Sequence, residues 1–128
     1  MNAFLIELEN EPGELLKVAA AVAGQNINIT GFGGSTCGDC GTVLLMTDNE
    51  TATWDVLIGL GRIVREQEVV RVTVAQQPGE LAKVAELVAN KGVNIDAAIS
   101  CGTDEIDFVF DDPATSRDVL TGAGYNLA

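Results

Sequence analysis

The sequence predicts an α+β protein made of two consecutive copies of one unit, each with the order strand, helix, strand, strand, helix, strand. Two internal matches support this prediction. The segment "PGELLKVAAAVAGQNINI" at 12–29 recurs as "PGELAKVAELVANKGVNI" at 78–95, and "DNETATWDVLIGLG" at 48–61 recurs as "DDPATSRDVLTGAG" at 111–124. Similarity at a nearly fixed spacing indicates a duplicated structural unit. We therefore expect one domain over residues 1–66 and a second over residues 67–128.

Each copy is predicted to begin with a strand and to continue into a helix. Apolar residues first alternate with polar or outward ones, the period of two expected of a half-buried strand. After each Pro-Gly pair they recur at helical spacing, and Lys17 and Lys83 face the other way. The alternating residues are Phe4, Ile6 and Leu8 in the first copy and Val70, Val72 and Val74 in the second. The helical ones are Leu15, Val18, Ala19 and Val22, matched by Leu81, Val84, Ala85 and Val88.

A hairpin, a second helix and a short strand complete each copy. "INITGFGGST" leads through a glycine-rich turn into "GTVLLMT", and "VNIDAAIS" leads through "CGTD" into "EIDFVF". Asp48 and Asp111 are predicted to cap the second helices, with Pro113 in the first turn of one, and "GLG" and "GAG" end them. The last strands are "RIV" and "YNL". This order is that of the ferredoxin-like fold, an antiparallel four-stranded sheet with both helices on one face.

The composition favours a soluble, cytoplasmic protein. Apolar residues make up 47% of the chain, but no stretch reaches the roughly 18 to 20 consecutive apolar residues that span a bilayer. The N-terminus "MNAFLIELEN" lacks the basic and apolar segments of an export signal. The formal net charge of -12 disfavours nucleic acid and membrane surfaces as partners, because both are bound through Lys and Arg.

The chain contains no histidine. This excludes Ser-His-Asp and Cys-His nucleophilic arrangements and every zinc site that uses histidine. No nucleophile paired with a base is visible, so we expect a protein without catalytic activity and without a cofactor. The three cysteines, an odd number without an export signal, indicate a reducing compartment rather than a disulfide framework.

The first Pro-Gly loop predicts a binding site for a small zwitterion. A loop through Pro12 and Gly13 into a helix leaves the N–H groups of the first turn unpaired, and such groups bind carboxylates. An α-amino acid also needs acceptors for its ammonium group, and the amides of Asn10 and Asn28 offer both donor and acceptor. Alternatively, Asn28 only satisfies the turn between helix and strand. Glu14 either favours the ammonium group or only complements the helix dipole.

The second copy keeps this pattern in part. Gln76 replaces Asn10 and carries its amide on a longer, more flexible side chain, whereas Pro78, Gly79 and Asn94 are retained. The asparagine and the first-turn glutamate of this copy admit the same structural alternatives as those of the first. The first loop is therefore the preferred binding site.

Three features together resemble the ACT domain: the ferredoxin-like order, the "N-x-P-G-x-L" turn at 10–15, and the "N-I" pair at the start of the second strand. The full chain resembles a tandem ACT protein with no catalytic domain attached. The resemblance implies an amino acid or similar effector bound at interfaces between units, a homodimer, and regulation of a partner enzyme or transporter. The implicated residues are Asn10, Pro12, Gly13, Glu14, Leu15, Asn28 and Ile29 in the first copy, and Gln76, Gly79, Glu80, Asn94 and Ile95 in the second.

One residue differs from the pattern of the ACT domains that sense serine. In ACT domains that sense serine, asparagines at the positions of Asn10 and Asn28 contact the effector, and a histidine stands where this chain has Leu8. The departure argues against serine as the effector. The preferred hypothesis is a non-catalytic sensor of an amino acid, and an alternative is an interaction module that has lost ligand binding.

The segment "CGDCG" at 37–41 carries the other chemistry in the sequence. Cys37 and Cys40 resemble half of a four-thiolate zinc site, which a second chain could complete, so a metal-responsive protein is one alternative function. A redox pair is another, although thioredoxin-like pairs lie at a helix start and this pair lies at a hairpin tip. In the simplest interpretation Gly38 and Asp39 make a tight turn between two small residues. Cys101 is expected to fill the core or an edge of the second hairpin.

Overall fold

The computed structural model describes residues 1–100, 102 and 104–128. Cys101 lies outside the described residues. The chain divides into two compact units, Asn2–Gln67 and Glu68–Ala128, and Met1 is grouped with the second. The first unit contains β1 (Asn2–Glu9), α1 (Glu14–Gly24), β2 (Ile29–Cys37), β3 (Cys40–Thr47), α2 (Glu50–Gly59) and β4 (Ile63–Glu68, whose last residue is grouped with the second unit). The second contains β5 (Val70–Thr73), α3 (Glu80–Ala89), β6 (Ile95–Ser100), β7 (Glu105–Phe110), α4 (Pro113–Gly122) and β8 (Asn126–Leu127).

Each unit forms one four-stranded sheet, and the predicted fold class is confirmed. The strand orders are β2-β3-β1-β4 and β6-β7-β5-β8. The central strand β3 pairs antiparallel with both β1 and β2, and β7 pairs antiparallel with both β5 and β6. This is the βαββαβ, ferredoxin-like topology, present twice. In the described part of the chain, no helix is long and apolar enough to cross a membrane.

The core of each unit lies between the sheet and its two helices. In the first unit one apolar cluster joins alternate residues of β1 and β3 to Val18 and Val22 of α1 and Leu57 of α2. In the second unit the equivalent cluster joins β5 and β7 to Val84, Val88 and Leu120. Because alternate strand residues share one face, both helices of a unit cover the same face of its sheet.

The first helices bury the predicted valines, but the leucine at the start of each helix is not in the core. Leu15 and Leu81, expected in the core, are 49% and 55% exposed. The inward line of α1 consists of Glu14, Val18 and Val22, which are four residues apart and therefore lie above one another on the helix. The glutamate of the first turn occupies the inner position, so the leucine that follows it is directed outward. This shift positions a carboxylate at the end of the core.

The second helices begin one residue later than predicted. Their caps are Asn49 and Asp112, whose side chains accept from the backbone N–H groups of Ala52 and Thr115. The aspartates predicted as caps instead accept from backbone N–H groups at the start of the second strands, Asp48 from Asn28 at 3.0 Å and Asp111 from Asn94 at 2.8 Å. Both consecutive positions carry good cap residues, so the strand contact decides between them. Pro113 does lie in the first turn of α4.

Candidate functional site

The loop between β1 and α1 has the backbone conformation that a glycine permits. Gly13 has φ 89° and ψ -6°, in the left-handed region, and α1 has no side-chain cap. Gly79 has nearly the same angles, φ 90° and ψ -5°, before α3. A Cβ at Gly13 would meet no atom within 4 Å, so the conformation and not the space requires glycine. Both loops deliver the chain into a helix whose first N–H groups lack a capping side chain.

A cavity of about 370 Å³ opens beside this loop in the first unit. Its walls come from the end of β1, the loop, the start of α1 and the facing parts of β2 and β3. The polar part is made by Glu9, Asn10, Glu11 and Glu14. The apolar part is made by Leu8, Leu15, Phe32 and Val43, and backbone is exposed to the cavity at Gly33, Gly34 and Gly41. The cavity thus combines a carboxylate- and amide-bearing rim with an apolar wall, as small-molecule sites commonly do.

Asn10 is fixed to the tip of the β2–β3 hairpin. Its backbone N–H donates to the carbonyl oxygen of Asp39 at 2.9 Å, and its Nδ2 donates to the carbonyl oxygen of Gly38 at 3.0 Å. The Oδ1 atom makes no hydrogen bond to any residue that the structure describes. The amide is therefore oriented by the hairpin and keeps an acceptor for a ligand.

Glu14 is the buried charge of the site. Its residue is 6% exposed. Lys17 Nζ lies 3.1 Å from its Oε1, and Arg62 Nη2 lies 2.5 Å from its Oε2. The contact with Arg62 is an ion pair whose geometry does not meet that of a hydrogen bond. Glu14 Oε2 accordingly has no hydrogen-bond partner among the described residues, and neither does Arg62 Nε. The hydrogen bond from Lys17 lowers the pKa of Glu14 most, burial opposes it, and the charge of Arg62 adds to the lowering.

Three carboxylates meet at the rim of the cavity. Glu9, Glu11 and Glu14 each have a carboxylate oxygen within 4.8 Å of the others. Glu14 is neutralised by Lys17 and Arg62, whereas Glu9 and Glu11 are exposed. The two exposed charges favour a positively charged group at this rim and disfavour a bare anion.

The remaining predicted residues of the first unit do not line this cavity. Pro12 and Gly13 shape the loop but stand outside its lining. Asn28 is exposed, and its backbone N–H is held by Asp48. Ile29 lines a smaller apolar cavity of about 110 Å³. Leu15 and Phe32 line both this cavity and the larger one.

The β2 wall of the cavity was not predicted from the sequence. Phe32 is 64% exposed on this strand, and Gly33, Gly34, Ser35 and Thr36 follow it along the wall. The glycine-rich run "GFGG" was a usable signal, because glycine inside a strand often marks a close approach of backbone to a ligand.

In the second unit the predicted residues keep some of the same contacts. Lys83 Nζ lies 3.1 Å from Glu80 Oε1, as Lys17 does from Glu14. The repeat aligns Tyr125 with Arg62, so the second ion pair of Glu14 has no counterpart in sequence. Asn94 Nδ2 donates to Asp96 Oδ1 at 2.7 Å, which matches a structural role for that amide. A ligand-binding role for the second loop stays a prediction.

Cys37 and Cys40 lie at the tip of the β2–β3 hairpin. They face each other as the last paired residues of the two strands, and both are exposed free thiols. Gly38, the first residue of the two-residue turn, has φ 66°. The expected tight turn at Gly38 and Asp39 is therefore present.

Comparison with protein families decides the identity of the second unit. The model of the ACT domain family matches residues 69–126, which is nearly all of that unit. The second unit is an ACT domain. The first unit carries the same repeated sequence, strand order and Pro-Gly loop, and we refer to it as the ACT-like unit. None of the curated proteins matches the chain.

Several solved structures share the fold of the whole chain. A protein from Bacteroides thetaiotaomicron is 22% identical, with a TM-score of 0.81 over 99% of this chain and 90% of that one. The ligand-free regulatory subunit of aspartate kinase from Thermus thermophilus is 18% identical, with a TM-score of 0.71 over 96% and 91%. The corresponding subunit from Thermus flavus is 19% identical, with a TM-score of 0.66 over 95% and 91%. At these identities the likeness establishes the arrangement of elements.

Proposed function

We propose that the protein is a non-catalytic regulator that binds an amino acid in the cavity of the ACT-like unit. The observation that carries this proposal is the convergence of Asn10, Glu9 and Glu11 on one rim of a 370 Å³ cavity, beside a helix that starts without a side-chain cap. Membership of the second unit in the ACT family supports a regulatory role. So does the fold shared with regulatory subunits of aspartate kinase.

The arrangement suits the two charges of an amino acid. Its carboxylate would accept from the first-turn N–H groups of α1 that follow Glu14, since the Glu14 N–H already donates to the carbonyl oxygen of Glu11 at 3.4 Å. The helix dipole favours negative charge there. Its ammonium group would lie toward Glu9 and Glu11 and donate to Asn10 Oδ1. An apolar side chain would lie on Leu8 and Phe32. The acidic rim makes a dicarboxylic acid a poor ligand, because a second carboxylate would face like charge.

Regulation would follow from a change in assembly or in contact with a partner. Leu15 and Phe32 line the cavity and are 49% and 64% exposed, and we propose that a second copy of the chain covers them. A ligand that contacts both chains would stabilise the homodimer, and the partner would be an enzyme or a transporter that distinguishes the two states. Light scattering that gives the mass of a single chain with and without ligand would contradict this part of the proposal.

The location proposed is the cytoplasm, because three cysteines, an odd number, fit a reducing compartment better than a disulfide framework.

A thermal-shift screen against the twenty amino acids tests the proposed function. Binding to the folded state alone contributes about 2.7 kcal/mol at a ligand concentration a hundredfold above Kd. We expect one or a few amino acids to raise the Tm of the wild-type protein. Asn10→Ala should lose this shift, measured from its own ligand-free Tm, whereas Gln76→Ala, the matched change in the second loop, should keep it. Absence of a shift with every amino acid at millimolar concentration would refute the proposal.

A further inference from the structure

The hairpin tip that holds Asn10 carries a pair of cysteines that the amino-acid site does not use. From this arrangement we propose that Cys37 and Cys40 form a reversible disulfide that controls the rigidity of Asn10, and through it the affinity of the cavity. The effect on affinity rests on the proposed function. The disulfide and its effect on Asn10 rest only on the geometry of the hairpin.

The strand register already places the two cysteines correctly for a disulfide. Cys37 and Cys40 are direct partners in the antiparallel ladder. Direct partners in such a ladder have Cα atoms about 4.5 to 5.5 Å apart, within the range of about 4.4 to 6.8 Å found in disulfides. The bridge can therefore form without a change of strand pairing. Both thiols are exposed and free, so a reagent reaches either of them.

The two turn residues enclosed by the cysteines are the residues that hold Asn10. Gly38 and Asp39 supply the carbonyl oxygens that accept from Asn10 Nδ2 and from its backbone N–H, at 3.0 Å and 2.9 Å. Thr36, which precedes Cys37, and Gly41, which follows Cys40, line the cavity. A covalent link between the cysteines thus closes a ring whose carbonyl groups orient the ligand-facing amide.

The oxidant is a low-molecular-weight disulfide, and the reaction balances as thiol–disulfide exchange. The thiolate of one cysteine attacks the small disulfide, forms a mixed disulfide and releases one small thiol. The thiolate of the other cysteine then attacks the protein sulfur of that mixed disulfide and releases the second small thiol. One S–S bond forms in the protein while one breaks in the oxidant. The two protons lost by the cysteines are taken up by the two released thiols.

Oxidation is expected to strengthen ligand binding. The disulfide holds the turn in the conformation in which the Gly38 and Asp39 carbonyl oxygens accept from Asn10. Ligand binding therefore loses less conformational entropy at the turn and at Asn10. The sequence of the ACT domain carries one cysteine, at position 101, in its corresponding hairpin. The redox response would therefore act on the ACT-like unit alone.

The experiment uses the full chain with Cys101→Ser, so that only the pair can react. The protein is equilibrated with reduced or oxidised glutathione, and the bridge is detected by alkylation and mass spectrometry as an intramolecular loss of two hydrogens. Exchange of the Asn10 backbone N–H is then followed by NMR, and affinity for the amino acid found in the screen is measured by calorimetry. A variant that also carries Cys37→Ser and Cys40→Ser is the control.

The expected result is an intramolecular disulfide, several-fold slower exchange at Asn10, and several-fold tighter binding, all absent from the control variant. Slower exchange without any amino-acid binding in either state would uphold the bridge and its hold on Asn10 but refute the proposed function and the control of affinity. Glutathione adducts without an internal bridge, or a bridge that leaves Asn10 exchange unchanged, would overturn the inference and leave the amino-acid site intact. Tight zinc binding by the four thiols of a dimer, with protection from glutathione, would overturn it as well.

Discussion

At the scale of single residues, the arginine contact of Glu14 distinguishes the ACT-like unit from the ACT domain, where Glu80 has the same position but Tyr125 replaces Arg62. Glu14 is buried at the inner start of α1 and contacts both Lys17 and Arg62. Its pKa lies below the ordinary value of 4.5, chiefly because of the hydrogen bond from Lys17. The folded state therefore binds its proton less readily than the unfolded chain does. The stabilisation is fully present above the ordinary pKa and is lost as the pH falls through the lowered one.

Replacing Glu14 by Gln should flatten this acid dependence. The variant is less stable than wild type at neutral pH, because Lys17 and Arg62 lose their carboxylate partner, and the difference narrows as the pH falls below 4.5. Urea denaturation at a series of pH values measures both effects. Arg62→Gln is the companion variant, since it removes one of the two cationic partners of Glu14 and should reduce the acid dependence less than Glu14→Gln does. A difference between wild type and Glu14→Gln that widens with acidification would contradict this account.

Asn10 and Phe32 show how far residue patterns predict a site. Asn10 was predicted from its place before the Pro-Gly loop, and it lines the cavity. Phe32 was not predicted, because alternation along a strand identifies which residues face outward but not what an outward residue lies beside. Asn28 satisfied the same local pattern but does not line the cavity, and its ligand-binding role stays a prediction.

At the scale of elements, the β1–α1 loop depends on one glycine conformation. Gly13 has φ 89°, where a residue with a Cβ costs about 1 to 2 kcal/mol. Gly13→Ala should therefore lower the free energy of unfolding by about that amount and weaken amino-acid binding, since the loop directs the helix start toward the cavity.

Gly24→Ala is a control for this change within the same helix. Gly24 ends α1 without a positive φ, and a Cβ there would meet no atom within 4 Å. Alanine is favoured over glycine in helices by up to about 1 kcal/mol, so this variant should be neutral or slightly stabilised and should bind normally. Chemical denaturation and calorimetry compare the two. Equal stability of Gly13→Ala and Gly24→Ala would show that the left-handed conformation is not required.

The elements themselves were well predicted from periodicity, and their ends were not. The helix starts moved by one residue because two good cap residues follow one another in "DNE" and "DDP". The first aspartate of each pair holds the second strand of its unit, a contact between segments distant in sequence. Leu15 and Leu81 are both directed outward, so the Arg62 contact, which only Glu14 makes, does not explain their position. The cap positions depend on tertiary partners that local propensity does not contain.

At the scale of the whole molecule, the duplication predicts the fold of both units, but the two copies differ in the residues around the Pro-Gly loop and the hairpin tip. The two units share strand order, loop conformation and core positions. They differ where a ligand would bind, since Gln76 replaces Asn10, Tyr125 replaces Arg62 and the cysteine pair occurs once. Repetition in sequence therefore predicted the architecture, whereas the differences between copies indicate which unit binds. We expect one amino acid per chain, bound by the ACT-like unit.

An NMR titration of backbone amides with the amino acid that most raises the Tm tests this claim most directly. We expect the largest chemical-shift changes to cluster at Asn10, Leu15 and the β2 segment from Phe32 to Thr36, and to saturate at one ligand per chain. The amides around Gln76, Gly79 and Glu80 should change little. Largest changes in that second loop, or changes spread evenly over the chain without saturation, would contradict the assignment of the binding site to the ACT-like unit.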